Sequence, residues 1–237
     1  MQARKQIWMA FRTAFPSTIP IFAGFMFLGI AYGIYMNSLG FSAIYPMLIS
    51  LTVFAGSMEF VTANLLMGAF NPFYALFLTL MVNARHLFYG ISLLDQYGAA
   101  GKKKWYMIFG LCDESFAINN TIHVPKNVEK GWVMFFVTLL NQLYWVLGAT
   151  IGGIFGSYMK FNTEGLDFVM TALFAVIFIE QWMKEKKHYS ALVGIGISVI
   201  SLSIFGGTRF IIPAMMAILG VLTLLRKSIE KVEVTPV

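Results

Sequence analysis

Long, uninterrupted apolar runs constrain this chain more than any other feature. Residues 14–36 carry no charge, and about 20 helical residues are enough to cross a hydrocarbon core of roughly 30 Å. Seven further apolar segments follow, at 41–68, 72–94, 105–122, 132–159, 166–183, 189–205 and 209–225. Their apolar residues are continuous rather than alternating, which excludes a transmembrane β-barrel. With 58% hydrophobic and 12% charged residues and a mean hydropathy of +0.73, the expectation is an all-α polytopic membrane protein. It has seven to eight hydrophobic segments in a single domain over residues 1–237.

The net charge of +6 does not point to nucleic acid, because the Lys and Arg residues fall in short clusters between the apolar segments. That pattern is a topology signal. Arg4, Lys5 and Arg12 precede the first segment and place the amino terminus in the cytoplasm, with the chain in the plasma membrane. The first segment is too long for the apolar region of a signal peptide, and no small-residue cleavage pattern lies near Asn37, so it is read as a true span. Cys112 is the only cysteine, which rules out a disulfide framework or a cysteine metal site. No cofactor or metal is expected.

Segment 41–68 is longer than one crossing needs, and Ala55-Gly56-Ser57-Met58-Glu59 interrupts it. Gly and Ser beside a carboxylate predict a broken or re-entrant helix whose freed backbone faces a cavity or protein. If segments 41–68 and 166–183 are both re-entrant, both termini, Lys102–Lys104 and the cluster of Lys184, Lys186 and Lys187 all lie inside. A weak internal echo accompanies this. Residues 28–33 resemble 147–152, and Phe54-Ala55 with Glu59 resembles Phe174-Ala175 with Glu180. The reading is two repeats, 14–122 and 132–226, of inverted topology. Pro16 and Pro20 fit the first turns of the first segment, and Gly24, Gly29 and Gly33 form a stripe for close helix packing.

Two adjacent segments carry ionisable groups near their middles, and such groups are costly enough in a bilayer to mark a site. In one, Asn83, Arg85, His86 and Tyr89 lie three and four residues apart on a helix. Arg85 keeps its charge and offers a planar fork for a carboxylate, while His86 is a candidate proton shuttle. In the other, Asp113, Phe116 and Asn120 share a face and Glu114 points about 100° away, dividing the acids between pairing with Arg85 and holding a cation, an ammonium group or a proton. The candidate substrate-binding residues are Arg85, Asp113, Glu114, Asn83, Gly56 and Ser57; those for proton or ion coupling are Glu59, Glu114 and His86. A structural ion network of Arg85, Asp113 and Glu59 is the alternative. No enzymatic signature is present, and nothing local ties Ser57 to His86 as a protease pair. Asn64, Asn119, Asn141 and Gln142 either line a path or bond helices together.

The break Phe54-Ala55-Gly56-Ser57-Met58-Glu59-Phe60, the stretch Asn83-Ala84-Arg85-His86 leading to Tyr89-Gly90, the stretch Asp113-Glu114-Ser115-Phe116-Ala117 and Gly165-Leu166-Asp167-Phe168 resemble, in order and spacing, the AzlC family. The resemblance covers nearly the whole chain. It implies the large subunit of a two-component bacterial exporter of branched-chain amino acids. That means efflux of leucine, isoleucine, valine and methionine coupled to an ion gradient, with a small AzlD-type membrane subunit as partner. The family commonly has Gln where this chain has Glu59. A zwitterionic substrate would set its carboxylate on Arg85 and its ammonium on Asp113 or Glu114. A channel-like pore for small polar solutes, or a structural subunit of a transporter complex, is the alternative function.

Overall fold

The computed structural model describes residues 2–69, 71–158, 188–206 and 216–224, together with 171, 172, 175, 178, 179, 182, 183, 210, 213 and 214. They form helices and connecting turns, with no strand among the described residues. The chain divides into two units, Met1–Met170 and Thr171–Val237. The all-helical class expected from the apolar runs is what is observed.

The first unit is built on two long helices, α1 (Gln2–Ser38) and α9 (Lys130–Tyr158). Both are long and apolar enough to cross a membrane. Helix α1 starts well before its apolar run, because its basic leader packs Ala10 and Ala14 on Val133 and Val137. Pro16 and Pro20 are therefore interior to the helix rather than in its first turns. Each removes a backbone bond there. The Thr18 hydroxyl donates to the Phe15 carbonyl at 2.9 Å and meets the Tyr144 hydroxyl at 3.1 Å, side-chain support of the kind that lets proline persist in such helices.

Contacts between α1 and α9 rise together along both helices. Phe11 meets Phe136, Phe22 meets Tyr144, Gly29 meets Ala149 and Asn37 reaches Ser157. The helices are thus parallel. A Cβ on Gly33 would lie 2.2 Å from the Ala149 carbonyl oxygen, and one on Gly152 would lie 2.1 Å from that of Ile30, so backbone touches backbone. Gly24 has nothing within 4 Å of a Cβ and is not part of this contact. The echoing stretches 28–33 and 147–152 thus pack on each other, but in the same direction. Inverted halves would run these equivalent helices in opposite directions.

Between α1 and α9 the chain makes two hairpins from opposite ends. Helix α2 (Ile44–Thr52) starts beside Gly153, where Ala43 and Pro46 pack, and ends with the Leu51 carbonyl at Gln142. Helix α3 (Gly56–Met67) starts against Trp145 and returns, with Phe60 on Tyr32 and Tyr35 and Asn64 bonded to Tyr35. Both arms open at the Ser38 end of α1. Segment 41–68 is a helical hairpin broken at residues 53–55.

Helices α4 (Pro72–Val82), α5 (Ala84–Ser92) and α6 (Leu94–Gly98) carry the chain to the other end, jointed at Asn83 and Leu93. There Leu93, Tyr97 and Ala100 pack with Met107 and Met134. Lys103 pairs with Glu129 at 2.8 Å and lies 4.5 Å from the Trp132 ring centre. From this end α7 (Lys104–Phe109) rises to Gly110 beside Thr138. Helix α8 (Asp113–Thr121) turns back, with Ser115 near Asn141 and with Ile118 and Ile122 on the Ala10 and Val133 cluster.

Segment 105–122 is therefore a second hairpin, not the continuous helix its hydropathy implies. Two hairpins of opposite entry bring the chain back to the starting end, which is why α9 runs parallel to α1. The Gln2 end gathers Arg4, Lys5, Arg12, Lys102–Lys104, Lys126 and Lys130, whereas the turns at 39–43 and 68–71 carry no charge. These are called the basic and neutral ends below.

In the second unit α10 (Tyr189–Phe205) is an apolar helix, and residues 216–224 are helical. Phe174, Glu180, Lys184, Lys186, Lys187, Arg209 and the Gly165–Phe168 stretch lie outside the described residues.

Candidate functional site

Midway along α9, Thr138, Asn141, Gln142 and Trp145 recur at helical spacing, so they share one face. All four are buried. This face receives the tips of both hairpins.

At the first tip the chain leaves α2 at Val53 and enters α3 at Gly56. Phe54 takes a φ of 45°, in the left-handed region that a bulky residue rarely occupies, so the tip is strained. Gln142 donates from Nε2 to the Leu51 carbonyl at 2.9 Å and accepts at Oε1 from the Tyr106 hydroxyl of α7. One amide thus ties the two hairpins together while satisfying a carbonyl that the break sets free. Gly56 rests on the Trp145 ring, where a Cβ would come within 3.1 Å. The first-turn N–H groups of α3 have no intrahelical acceptors. One, from Ala55, donates to Glu59 Oε1 at 3.1 Å, and the Trp145 indole donates to the same oxygen at 2.9 Å. Glu59 is fully buried, and Oε2 has no partner among the described residues. Ser57 is buried beside it.

At the second tip, Gly110, Leu111 and Cys112 separate α7 from α8. A Cβ on Gly110 would clash with the Thr138 methyl and lie 3.7 Å from Phe54 Cε1, so the two tips are neighbours. The Ser115 hydroxyl donates to the Gly110 carbonyl at 3.2 Å, accepts from Asn141 at 3.4 Å, and lies 3.1 Å from Cys112 Sγ. Asp113 and Glu114 are not mid-helix. They are half-buried in the first turn of α8, where the helix macrodipole favours negative charge.

Helix α5 reaches α8 through Tyr89, which stacks on Phe116 at 4.4 Å, and α6 reaches it through Tyr97, whose hydroxyl accepts from Asn119 at 2.9 Å. The side chain of Arg85 lies outside the described residues. His86 is half-buried, its ring edge-on to Tyr89, with Nδ1 3.1 Å from the Asn83 carbonyl oxygen. Asn83 sits at the joint between α4 and α5 rather than on the helix with His86.

The structure therefore brings Gly56, Ser57 and Glu59 to one tip and Asp113 and Glu114 to the other, with Tyr89 of α5 on Phe116 of α8. Among the described residues the hydrogen bonds to Glu59 come from the Ala55 amide and the Trp145 indole. Asn120 is exposed, and the buried face of α8 is Ser115 and Asn119. Sequence reasoning named Gln142 only as one of several path-lining or helix-bonding residues and missed Trp145. Their signal was present, as polar and indole groups at helical spacing in an otherwise apolar segment. The missed break at Gly110–Cys112 also had one, since an acidic pair after a glycine is a helix-start pattern.

Comparison with known proteins adds the family. The sequence model of the AzlC protein family matches residues 20–159. The branched-chain amino acid transport protein AzlC of Bacillus subtilis is 77% identical over 235 residues, covering 99% of this chain and 92% of that protein. This chain belongs to the AzlC family. An uncharacterized membrane protein of Haemophilus influenzae is 49% identical, covering 94% of this chain and 92% of its own. The inner membrane protein YgaZ of Escherichia coli is 27% identical over 83% of this chain and 80% of its own. No solved structure matches. In this AzlC chain the family match takes in α1 from Pro20, both hairpins and α9 to its end.

Proposed function

We propose that this protein exports branched-chain amino acids, leucine, isoleucine and valine, and also methionine, across the bacterial plasma membrane. It works as a secondary transporter driven by an ion or proton gradient, together with a small AzlD-type membrane subunit. The observation that carries this reading is the meeting of two broken hairpins midway along α9, beside a buried carboxyl group. Discontinuous helices in secondary transporters set their termini and freed backbone at such a midplane site. The 77% identity to a protein named for branched-chain amino acid transport supports the substrate class. The gathering of Lys and Arg at one end supports a cytoplasmic amino terminus.

In this reading Arg85 takes the substrate carboxylate and Asp113 or Glu114 its ammonium group. Asn83 and the α3 start at Gly56 and Ser57 line the seat, with Phe54 and Phe116 as apolar walls. Glu59, with Glu114 and His86, answers to the coupling ion. Arg85→Ala is expected to lower leucine export at least about a hundredfold, with normal membrane insertion, because the substrate carboxylate loses its charge partner. Export at the wild-type rate by well-inserted Arg85→Ala would remove Arg85 from the site.

The decisive experiment is uptake of labelled valine, leucine and methionine into inverted vesicles, with and without the small subunit, under an imposed pH gradient. Uphill accumulation is the expected result. Two half-helices meeting from opposite ends also suit a pore, where helix termini set selectivity. Flux that equilibrates and never accumulates would favour that second reading, and no flux of any amino acid would remove the first.

A further inference from the structure

Two fully buried polar atoms adjoin one indole, and neither has a hydrogen-bond partner among the described residues. They are Glu59 Oε2 and the Tyr32 hydroxyl. The Trp145 indole donates to Glu59 Oε1, and the Tyr32 ring stacks on that indole at 6.2 Å and 15°. Leaving such atoms unsatisfied costs free energy that an apolar pair of the same shape would not, so their presence calls for a role. Both donors to Glu59 fall on Oε1, which leaves Oε2 to hold a proton.

The hydroxyl row continues toward the neutral end. Tyr35 lies three residues after Tyr32 on α1, and both rings pack on Phe60, at 5.2 Å for Tyr32 and 5.9 Å for Tyr35. The Tyr35 hydroxyl donates to Asn64 Oδ1 at 2.9 Å, and Asn64 is exposed on the outgoing arm of α3. Among the described residues the Trp145 indole and the Ala55 amide are the groups that hydrogen-bond to Glu59.

We propose that Glu59 and Tyr32 are the proton-carrying pair of this transporter, and that Tyr35 and Asn64 extend it to the neutral end. This rests on the export reading and names its coupling ion. A proton reaches the Tyr32 oxygen from the neutral side as the hydroxyl's own proton moves on to Glu59 Oε2; the two atoms are not hydrogen-bonded to each other in this structure, so the step requires the hairpin tip to close that gap. The tyrosine stays neutral and the carboxylate becomes a carboxylic acid. Oε1 then accepts more weakly from the Ala55 amide and the Trp145 indole. The proton is therefore felt at the tip of the first hairpin, which Gln142 joins to the second. Entry from the neutral end, the outer face when the basic end is cytoplasmic, is the direction a proton must take to drive export.

The test is Tyr32→Phe, with Glu59→Gln beside it, in proteoliposomes containing the small subunit. The reading is the ratio of leucine accumulation driven by a pH gradient to leucine counterflow without one. Tyr32→Phe is expected to lower that ratio at least about tenfold, the low end of what a positioned proton-transfer group contributes, and Glu59→Gln to abolish the driven part. The unfolding temperature of Tyr32→Phe is expected to hold or rise, since the hydroxyl removed has no partner. An unchanged ratio, with or without a lowered unfolding temperature, would overturn the proton pair while leaving export intact. Absence of both fluxes in the wild type would instead overturn export. The pair is then judged by the pH dependence of Trp145 emission after the other four tryptophans are replaced by Phe. A midpoint shifted by Tyr32→Phe and a transition lost in Glu59→Gln support it, and three identical profiles reject it.

Discussion

Gly152→Leu is expected to prevent α1 and α9 from closing and to deplete folded protein from the membrane. The glycine Cβ direction points into the backbone of Ile30, 2.1 Å from its oxygen and 2.7 Å from its Cα. No rotamer relieves a clash with main chain, so the helices must part, and the contacts on either side go with them. Overpacking in a dense interior costs about 1–3 kcal/mol where side chains can shift, and more where they cannot. A loss of about 3 kcal/mol or more is expected, read as a fall in thermal unfolding temperature in detergent. Gly24→Leu is the matched control. It lies on the same helix with open space around it and is expected to unfold at the wild-type temperature.

The second large effect is expected at Gln142. Replacing it with leucine keeps the volume but strands the Leu51 carbonyl and the Tyr106 hydroxyl that its amide serves. Each buried polar group left without a partner costs about 1–3 kcal/mol, so Gln142→Leu should lose roughly 2–6 kcal/mol. Adding Tyr106→Phe removes one stranded group and should recover part of the loss. A double-mutant cycle by thermal unfolding checks this. Purely additive changes at the two positions would show that the amide does not bridge the hairpins. Leucine export is expected to fail in Gln142→Leu, because the two tips no longer move as one.

Hydropathy made the class of fold legible, and the Ala55–Glu59 interruption revealed the first hairpin, because a glycine, a serine and a carboxylate cannot be left unattended inside a lipid-facing helix. The second hairpin escaped because Gly110-Leu111-Cys112 is apolar, and an apolar break does not lower the hydropathy of a segment. Charge bias alone was satisfied by a topology with one hairpin in the first half. The structure satisfies it with two, and the parallel course of α1 and α9 is what separates these solutions. The site followed the same rule. Charged residues were visible as energetic anomalies, so Arg85, Asp113, Glu114 and Glu59 stood out. Gln142 and Trp145 are ordinary in composition, and they matter only because helical spacing turns both toward the hairpin tips. Tyr32 was hidden for the same reason. A tyrosine in an aromatic-rich helix is conspicuous only once its hydroxyl is seen buried and its ring stacked on the indole that bonds Glu59.

The proposed export site requires two hairpins that enter from opposite faces and meet inside. Single cysteines placed in a Cys112→Ala background at Gly40, Asn71, Lys102 and Asn127 test it directly with a membrane-impermeant thiol reagent on intact cells. The two positions flanking the first hairpin, 40 and 71, should both be labelled from outside. The two flanking the second, 102 and 127, should be labelled only after the membrane is opened. Labelling of 40 and 71 from opposite faces, or of 102 and 127 from opposite faces, would contradict the account.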